Sequence, residues 1–141
     1  MPDLSAQLLE QVRQARSEGR RLRVCGARSK PWMQGRRAED ISLAKHSGII
    51  SYDPSELVVT VRAGTPLAEL DAALAEAGQM LAPEVPDFNG NSTVGGAVAL
   101  GWGGSRAPFA GQLRDTVLGV RMINGRGEDL TAMIEDALAE A

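Results

Sequence analysis

Apolar residues at the start of the chain recur at helical spacing. Leu4, Leu8, Leu9, Val12 and Ala15 fall on one stripe, the pattern of a helix with a single buried face. Asp3 is placed to cap it and Gly19 to stop it in a left-handed turn. The period then changes. Leu22 to Cys25 reads as a short apolar strand that breaks at Gly26 into a polar loop, which Pro31 keeps from becoming a long helix. Further strands are predicted around Ile41 to Leu43, Ile49 to Tyr52 and Leu57 to Arg62, with Asp53-Pro54-Ser55-Glu56 turning the last two into a hairpin. A second helical stripe follows in Leu67, Leu70 and Leu74, with Thr65 as its N-cap, Pro66 at its first position and Gly78 as its stop.

Beyond a brief extended segment at Met80 and Leu81, Pro83 and Pro86 disfavour helix at the residues before them, so Pro83 to Asn91 reads as an irregular loop. It leads into Thr93 to Arg106, "TVGGAVALGWGGSR", which is too rich in glycine for an ordinary core segment and too apolar for a linker. Ser92 or Thr93 can cap a small-residue helix over Val94 to Leu100, ended by Gly101, Gly103 and Gly104. Thr116 to Ile123 reads as a strand leading to an Asn124-Gly125 turn. The returning strand conflicts with Thr131, Met133, Ile134, Ala137 and Leu138, whose spacing predicts a short amphipathic helix and a hairpin lacking its full second strand.

The length of 141 residues, with 43% hydrophobic but only 4% aromatic positions, suits one domain with an aliphatic core, of α+β or α/β class. A net charge of -3 provides no general field for nucleic acid. The local clusters Gly19 to Arg23 and Gly35 to Arg37 read as solvated loop ends rather than phosphate ligands. Cys25 is the only cysteine, which excludes an intrachain disulfide and a cysteine-rich zinc site. There is no basic start followed by an apolar run, and no stretch near the about 18 apolar residues of a membrane span. The expectation is a cytoplasmic protein without direct membrane insertion.

Two segments have the chemistry of an anion cradle. Gly26-Ala27-Arg28-Ser29-Lys30 and Thr93-Val94-Gly95-Gly96 each follow an extended segment, and such turns direct backbone N–H groups toward one point. The first matches neither the nicotinamide-dinucleotide fingerprint nor a Walker loop. Taken separately, each is also readable as a structural turn, and the later glycines as close packing of a helix on a sheet.

The wording and order of "RVCGARSKPW", "DPSELVVTVRAGTPLAELDAALAEAGQMLAPE", "STVGGAVALGWGGSR" and "AGQLRDTVLGVRMINGRGE" resemble the FAD-binding domain of the vanillyl-alcohol oxidase and p-cresol methylhydroxylase superfamily. Within it they are similar to the E subunits of bacterial glycolate oxidases. The resemblance implies an α+β fold of p-cresol methylhydroxylase type in two small lobes, the first over about residues 1–85. The second begins over about 86–130, is incomplete, and is followed by a divergent tail at 131–141. It also implies FAD as cofactor, with Gly26, Ala27, Arg28, Ser29 and Lys30 as a pyrophosphate loop and Thr93, Val94, Gly95 and Gly96 beside the flavin. By the same resemblance the chain is the FAD-binding portion of a 2-hydroxy-acid oxidoreductase subunit. Its partners are other glycolate oxidase subunits of flavin and iron-sulfur type, through which any membrane association would come. Where the family carries consecutive glycines this chain has Ala27 and Arg28, so a left-handed backbone there would strain against a Cβ, and Arg28 would either contact phosphate or block it. Such departures also fit a non-catalytic assembly module that has lost tight flavin binding. A free-standing nucleotide sensor has only the two loops in its favour.

No catalytic residue is legible, because a flavin would carry the redox chemistry. His46 reads as an exposed turn residue, Cys25 as buried at a strand end, Glu84 and Asp87 as exposed loop carboxylates, and Arg114 with Asp115 as a structural ion pair or turn cap. Trp32 and Trp102 either cover the two loops or anchor the core.

Overall fold

A computed structural model describes residues 3–33, 35 and 37–133. Helix α1 (Ser5–Ser17) begins where Asp3 Oδ1 accepts the N–H of Ser5 at 2.9 Å. It ends at Gly19, whose φ of 66° is strained for a residue with a Cβ. The helix buries Leu8 and Ala15, the centre of the apolar stripe. Strands β1 (Leu22–Cys25) and β2 (Glu39–Ser42) are parallel, with Arg23 beside Asp40 and Val24 beside Ile41. The second strand therefore starts two residues earlier than the apolar run alone predicts.

β3 (Ile49–Asp53) and β4 (Val58–Val61) form the expected antiparallel hairpin. Asp53 Oδ1 closes its turn by accepting from the N–H of Ser55 at 2.9 Å and of Glu56 at 3.2 Å. Leu57 belongs to that turn rather than to the strand, with φ of 59° and an exposed side chain. Helix α2 (Leu67–Glu76) buries Leu67, Leu70 and Leu74 as its spacing requires. Its capping differs from the prediction: Pro66 occupies the cap position without a side-chain bond. Thr65 instead turns back, accepting from Gly48 N–H at 2.9 Å and donating to the Arg62 carbonyl at 2.7 Å, and is 0% exposed.

Helix α3 (Val94–Leu100) is capped by Thr93, whose Oγ1 accepts from Gly96 N–H at 3.2 Å, and it ends at left-handed Gly101. A one-turn helix α4 (Ala107–Ala110) follows. Thr116, the predicted start of the strand, instead ends a 3-10 turn (Leu113–Thr116), and the strand starts at Gly119. The last strands, β5 (Gly119–Ile123) and β6 (Asp129–Met133), pair antiparallel across the Asn124-Gly125 turn. The hairpin thus has its second strand: Thr131 and Met133 are extended where helical spacing predicted a helix, because Arg121 and Gly119 lie opposite them. The remainder of that predicted helix, with Ile134, Ala137 and Leu138, lies outside the described residues.

Leu67, Ala97 and Leu113 form a buried cluster with Val85 and Val94 packed against it, so α2, α3 and the turn after α4 share one aliphatic core. From the opposite end, Arg13 Nε donates to the Gly127 carbonyl at 3.0 Å and Arg16 Nη1 to that of Arg126 at 2.8 Å, tying the first helix to the last hairpin. Among the described residues no helix is long and apolar enough to cross a membrane.

Candidate functional site

β1 delivers its loop against α3. Gly26 lies so close to Thr93 that a Cβ there would stand 2.6 Å from Thr93 Oγ1, so only a bare residue lets the two segments meet. Farther along, Ser29 Oγ receives hydrogen bonds from Ser92 Oγ at 3.3 Å and Lys30 Nζ at 3.1 Å. Segments about 60 residues apart are therefore joined at Ser29–Ser92 and at Gly26–Thr93.

The two segments are not equivalent. The first N–H groups of α3 are already used: Val94 donates to the Thr65 carbonyl at 2.8 Å, Gly95 to that of Ala63 at 2.8 Å and Gly96 to Thr93 Oγ1. The expectation that this helix start directs free donors at an anion is corrected by that accounting. Gly95 is bare for packing, since a Cβ would stand 2.7 Å from Ala63 Cβ and 2.9 Å from its carbonyl oxygen. Among the described residues, by contrast, no hydrogen bond uses the N–H of Gly26, Ala27, Arg28, Ser29 or Lys30. Five successive donors without a protein partner, at half-buried Gly26, Ser29 and Lys30 and at exposed Ala27 and Arg28, make this loop the part of the site suited to an anion.

The loop borders a cavity of about 650 Å³ lined by Gly26 to Lys30 and by Thr93 and Gly96, but not by Val94 or Gly95. Leu22, Val24, Ala99 and Leu100 supply an apolar side. Arg21, Arg23, Arg28, Lys30 and Arg37 supply positive charge, and no carboxylate of the described residues lines it. Of the arginines read from sequence as solvated loop ends, Arg21, Arg23 and Arg37 stand at the cavity wall, whereas Arg20 pairs with Glu18 and Glu39. Sequence clustering marked them but could not say what they surround. Just outside, Asp40 accepts from Arg23 at 2.6 Å through Oδ1 and from Arg28 through Oδ2. Those contacts, the Arg23 hydrogen bond first, hold its carboxyl below the ordinary 3.8. Arg28 takes a left-handed backbone, φ 57°, as expected where glycine would be at ease, and its side chain is paired with Asp40.

Three aromatic residues collect beside Lys30. Phe88 meets Trp32 edge to face at 5.3 Å between centroids and Trp102 at 6.1 Å, with Lys30 Nζ 5.0 Å above its ring. Trp32 is 61% and Trp102 41% exposed, so neither is a core anchor. Phe88, which sequence reading passed over, is the hinge between them; its place in a proline-flanked loop carried no periodic signal.

The remaining candidates have structural duties. Asp87 Oδ1 accepts from Ser92 N–H at 2.9 Å and Glu84 Oε2 from Arg106 N–H at 3.3 Å. Asp115 caps its turn by accepting from Gln112 N–H at 2.8 Å. Cys25 is half-buried, with Sγ 3.6 Å from the Ile41 carbonyl. His46 departs from expectation: only 14% of its side chain is exposed, and Nδ1 accepts from Leu4 N–H at 3.2 Å. Burial pushes its pKa below the ordinary 6.5 and outweighs the opposing charge of Asp3.

An α+β scaffold whose glycine-ended strand presents open backbone donors to a basic cavity defines a domain that binds a phosphate-bearing cofactor. The chain belongs to the FAD binding domain family, which matches residues 1–132, and FAD is the cofactor this indicates. It is 47% identical over 130 residues to the glycolate oxidase subunit GlcE of Escherichia coli, a match covering 91% of this chain and 37% of that protein. The chain therefore spans little more than a third of that relative. In solved structures its fold is similar to Phl p 4.0202, a glucose dehydrogenase, with a TM-score of 0.77 and 19% identity over 94% of this chain and 28% of the other. It is also similar to alkyldihydroxyacetonephosphate synthase, with a TM-score of 0.76 and 20% identity over 94% and 25%. These establish an FAD-binding fold of the p-cresol methylhydroxylase type. The open donors, and the absence of a lining carboxylate among the described residues, fit a diphosphate.

Proposed function

We propose that this chain is the FAD-binding portion of a glycolate-type 2-hydroxy-acid oxidoreductase subunit that works with partner subunits. The observation that carries the reading is the run of open N–H groups from Gly26 to Lys30 on a cavity walled by cations. In this reading those five residues hold the diphosphate through main-chain donors, while Lys30, Arg21 and Arg37 offset its charge. Thr93 and Gly96 form the facing wall. Val94 and Gly95 act from behind it, fixing α3 on Ala63 and Thr65. When bound, FAD supplies the two-electron acceptance by which a 2-hydroxy acid is oxidised. The partners proposed are a second flavin subunit and an iron-sulfur subunit, and any attachment to a membrane comes through them.

Titration of FAD followed by flavin fluorescence tests this, with the chain alone and with the partner subunits. The expected result is weak binding alone, displaced by ADP, and retention through dialysis only in the complex. Failure to bind FAD in either setting would overturn the proposal. The second reading, an assembly module, draws support from Arg28, whose side chain occupies a loop position where the resembling family has glycine. It gains if the complex assembles normally while FAD binds to neither form.

A further inference from the structure

We propose that Asp40 is a positioning residue for the anion cavity: by gripping Arg28 it holds the front of the Gly26 to Lys30 loop in its donor-presenting shape. The inference rests on the reading of that loop as the diphosphate cradle. The loop has no main-chain hydrogen bonds of its own among the described residues, so side chains must fix it. Its rear half is held by Ser29 against Ser92 and by Lys30 over Phe88. In its front half, the polar tie is the ion pair of Arg28 with Asp40.

That tie bears on a costly conformation. At φ 57° the Cβ of Arg28 crowds its own backbone, and a left-handed residue other than glycine persists only where its surroundings impose it. Asp40 is well placed to do so. It sits on β2 directly beside Arg23 of β1, and Arg23 reaches Oδ1 with two nitrogens at 2.6 Å. The carboxylate is thereby anchored to the strand pair and offers its second oxygen to the loop. It does not line the cavity, so it acts through Arg28 rather than on the ligand. It also engages Arg23 and Arg28, leaving Lys30, Arg21 and Arg37 to meet an anion.

Removing the grip should loosen the loop, and removing the strain should make the grip unnecessary. In Asp40→Asn the backbone amide order parameters of residues 27–30 should fall from the rigid range of about 0.85 to below about 0.6 by nuclear magnetic relaxation, and half-saturation by FAD should rise about tenfold. Arg28→Gln, which leaves Arg23 on Asp40, should reproduce both effects. In an Arg28→Gly background, Asp40→Asn should leave loop order as it was and half-saturation within about twofold of Arg28→Gly alone, because glycine takes the left-handed form at no steric cost. The proposal is overturned if Arg28→Gln leaves loop order unchanged, or if Asp40→Asn impairs the Arg28→Gly chain as much as it impairs the parent. In the latter case Asp40 serves the strand pair alone. Should Asp40→Asn not fold, Arg28→Gln against Arg28→Gly decides. Absence of FAD binding in the parent chain would count against the proposed function, whereas the order of the loop still tests the role of Asp40.

Discussion

At the level of single residues, the chain's only histidine links chemistry to stability. His46 accepts Leu4 N–H at Nδ1, so its proton must sit on Nε2, and charging the ring would break the contact. Burial depresses its pKa from 6.5, with Arg62 and Arg121 acting in the same direction and Asp3 opposing them. The unfolded chain therefore takes up a proton as pH falls through about 6.5, while the folded chain does not until lower pH. Stability from this group is present above 6.5 and is lost progressively on acidification. Thermal melts between pH 7.5 and 5 should show a falling midpoint that His46→Asn flattens; equal slopes in the two proteins would contradict this. Glycines of the Thr93 to Arg106 stretch should likewise separate by environment. Gly95→Ala should cost about 1–3 kcal/mol in denaturant melts, since Ala63 backbone and side chain stand within 3.1 Å of the new Cβ. At Gly103→Ala the nearest atom is at 3.4 Å, an ordinary contact, and stability should hardly move.

Among the elements, α2 shows how periodicity and capping can part company. Leu67, Leu70 and Leu74 are buried as their spacing dictates, and Leu70 is 3% exposed. Leu70→Ala should cost about 2–5 kcal/mol, and a loss below about half a kcal/mol would mean that the face is open. Thr65 has a good cap residue's side chain, yet Gly48 N–H and the Arg62 carbonyl claim it first. Thr65→Val should cost about 1–3 kcal/mol by leaving the Gly48 donor buried and unpaired. A cap role would predict instead a loss confined to the first turn of α2, which residue-level amide exchange distinguishes. The β5–β6 hairpin was half legible. Its Asn-Gly turn was plain, but Thr131 and Met133 fit two periods, and cross-strand pairing chose the strand.

Across the whole molecule, charge and burial act on different parts of the proposed ligand. Arg37 is exposed at the cavity rim, so Arg37→Ala should weaken FAD binding by about twofold to fivefold. The difference should shrink as salt is raised and exposed charges are screened; a salt-independent loss would indicate altered folding instead. Apolar burial is the scarcer resource. Leu118, Val120, Met122 and Leu130 of the last hairpin region are substantially exposed, and each Å² of ligand left in water forfeits about 25 cal/mol. The expected outcome is weak retention of FAD by this chain alone; stoichiometric FAD kept through dialysis would contradict it.

Local information sufficed where one residue's neighbours in sequence are also its neighbours in space. The stripes of α1 and α2, the Asp53 turn, the Thr93 cap and the stops at Gly19, Gly78 and Gly101 are all of this kind, and so is the collinear wording that pointed to FAD. Contacts across the chain were decided only by the tertiary structure. Periodicity cannot say that Thr65 faces Gly48, that His46 receives Leu4, or that Asp40 bridges Arg23 and Arg28. Nor could it separate two glycine-bearing loops of similar appearance. The donors of Val94 to Gly96 are taken by Ala63, Thr65 and the Thr93 side chain, whereas those of Gly26 to Lys30 have no partner among the described residues, on a loop that lines a cavity. Which N–H groups are left over depends on what the rest of the fold has already satisfied, and that sum closes only in three dimensions.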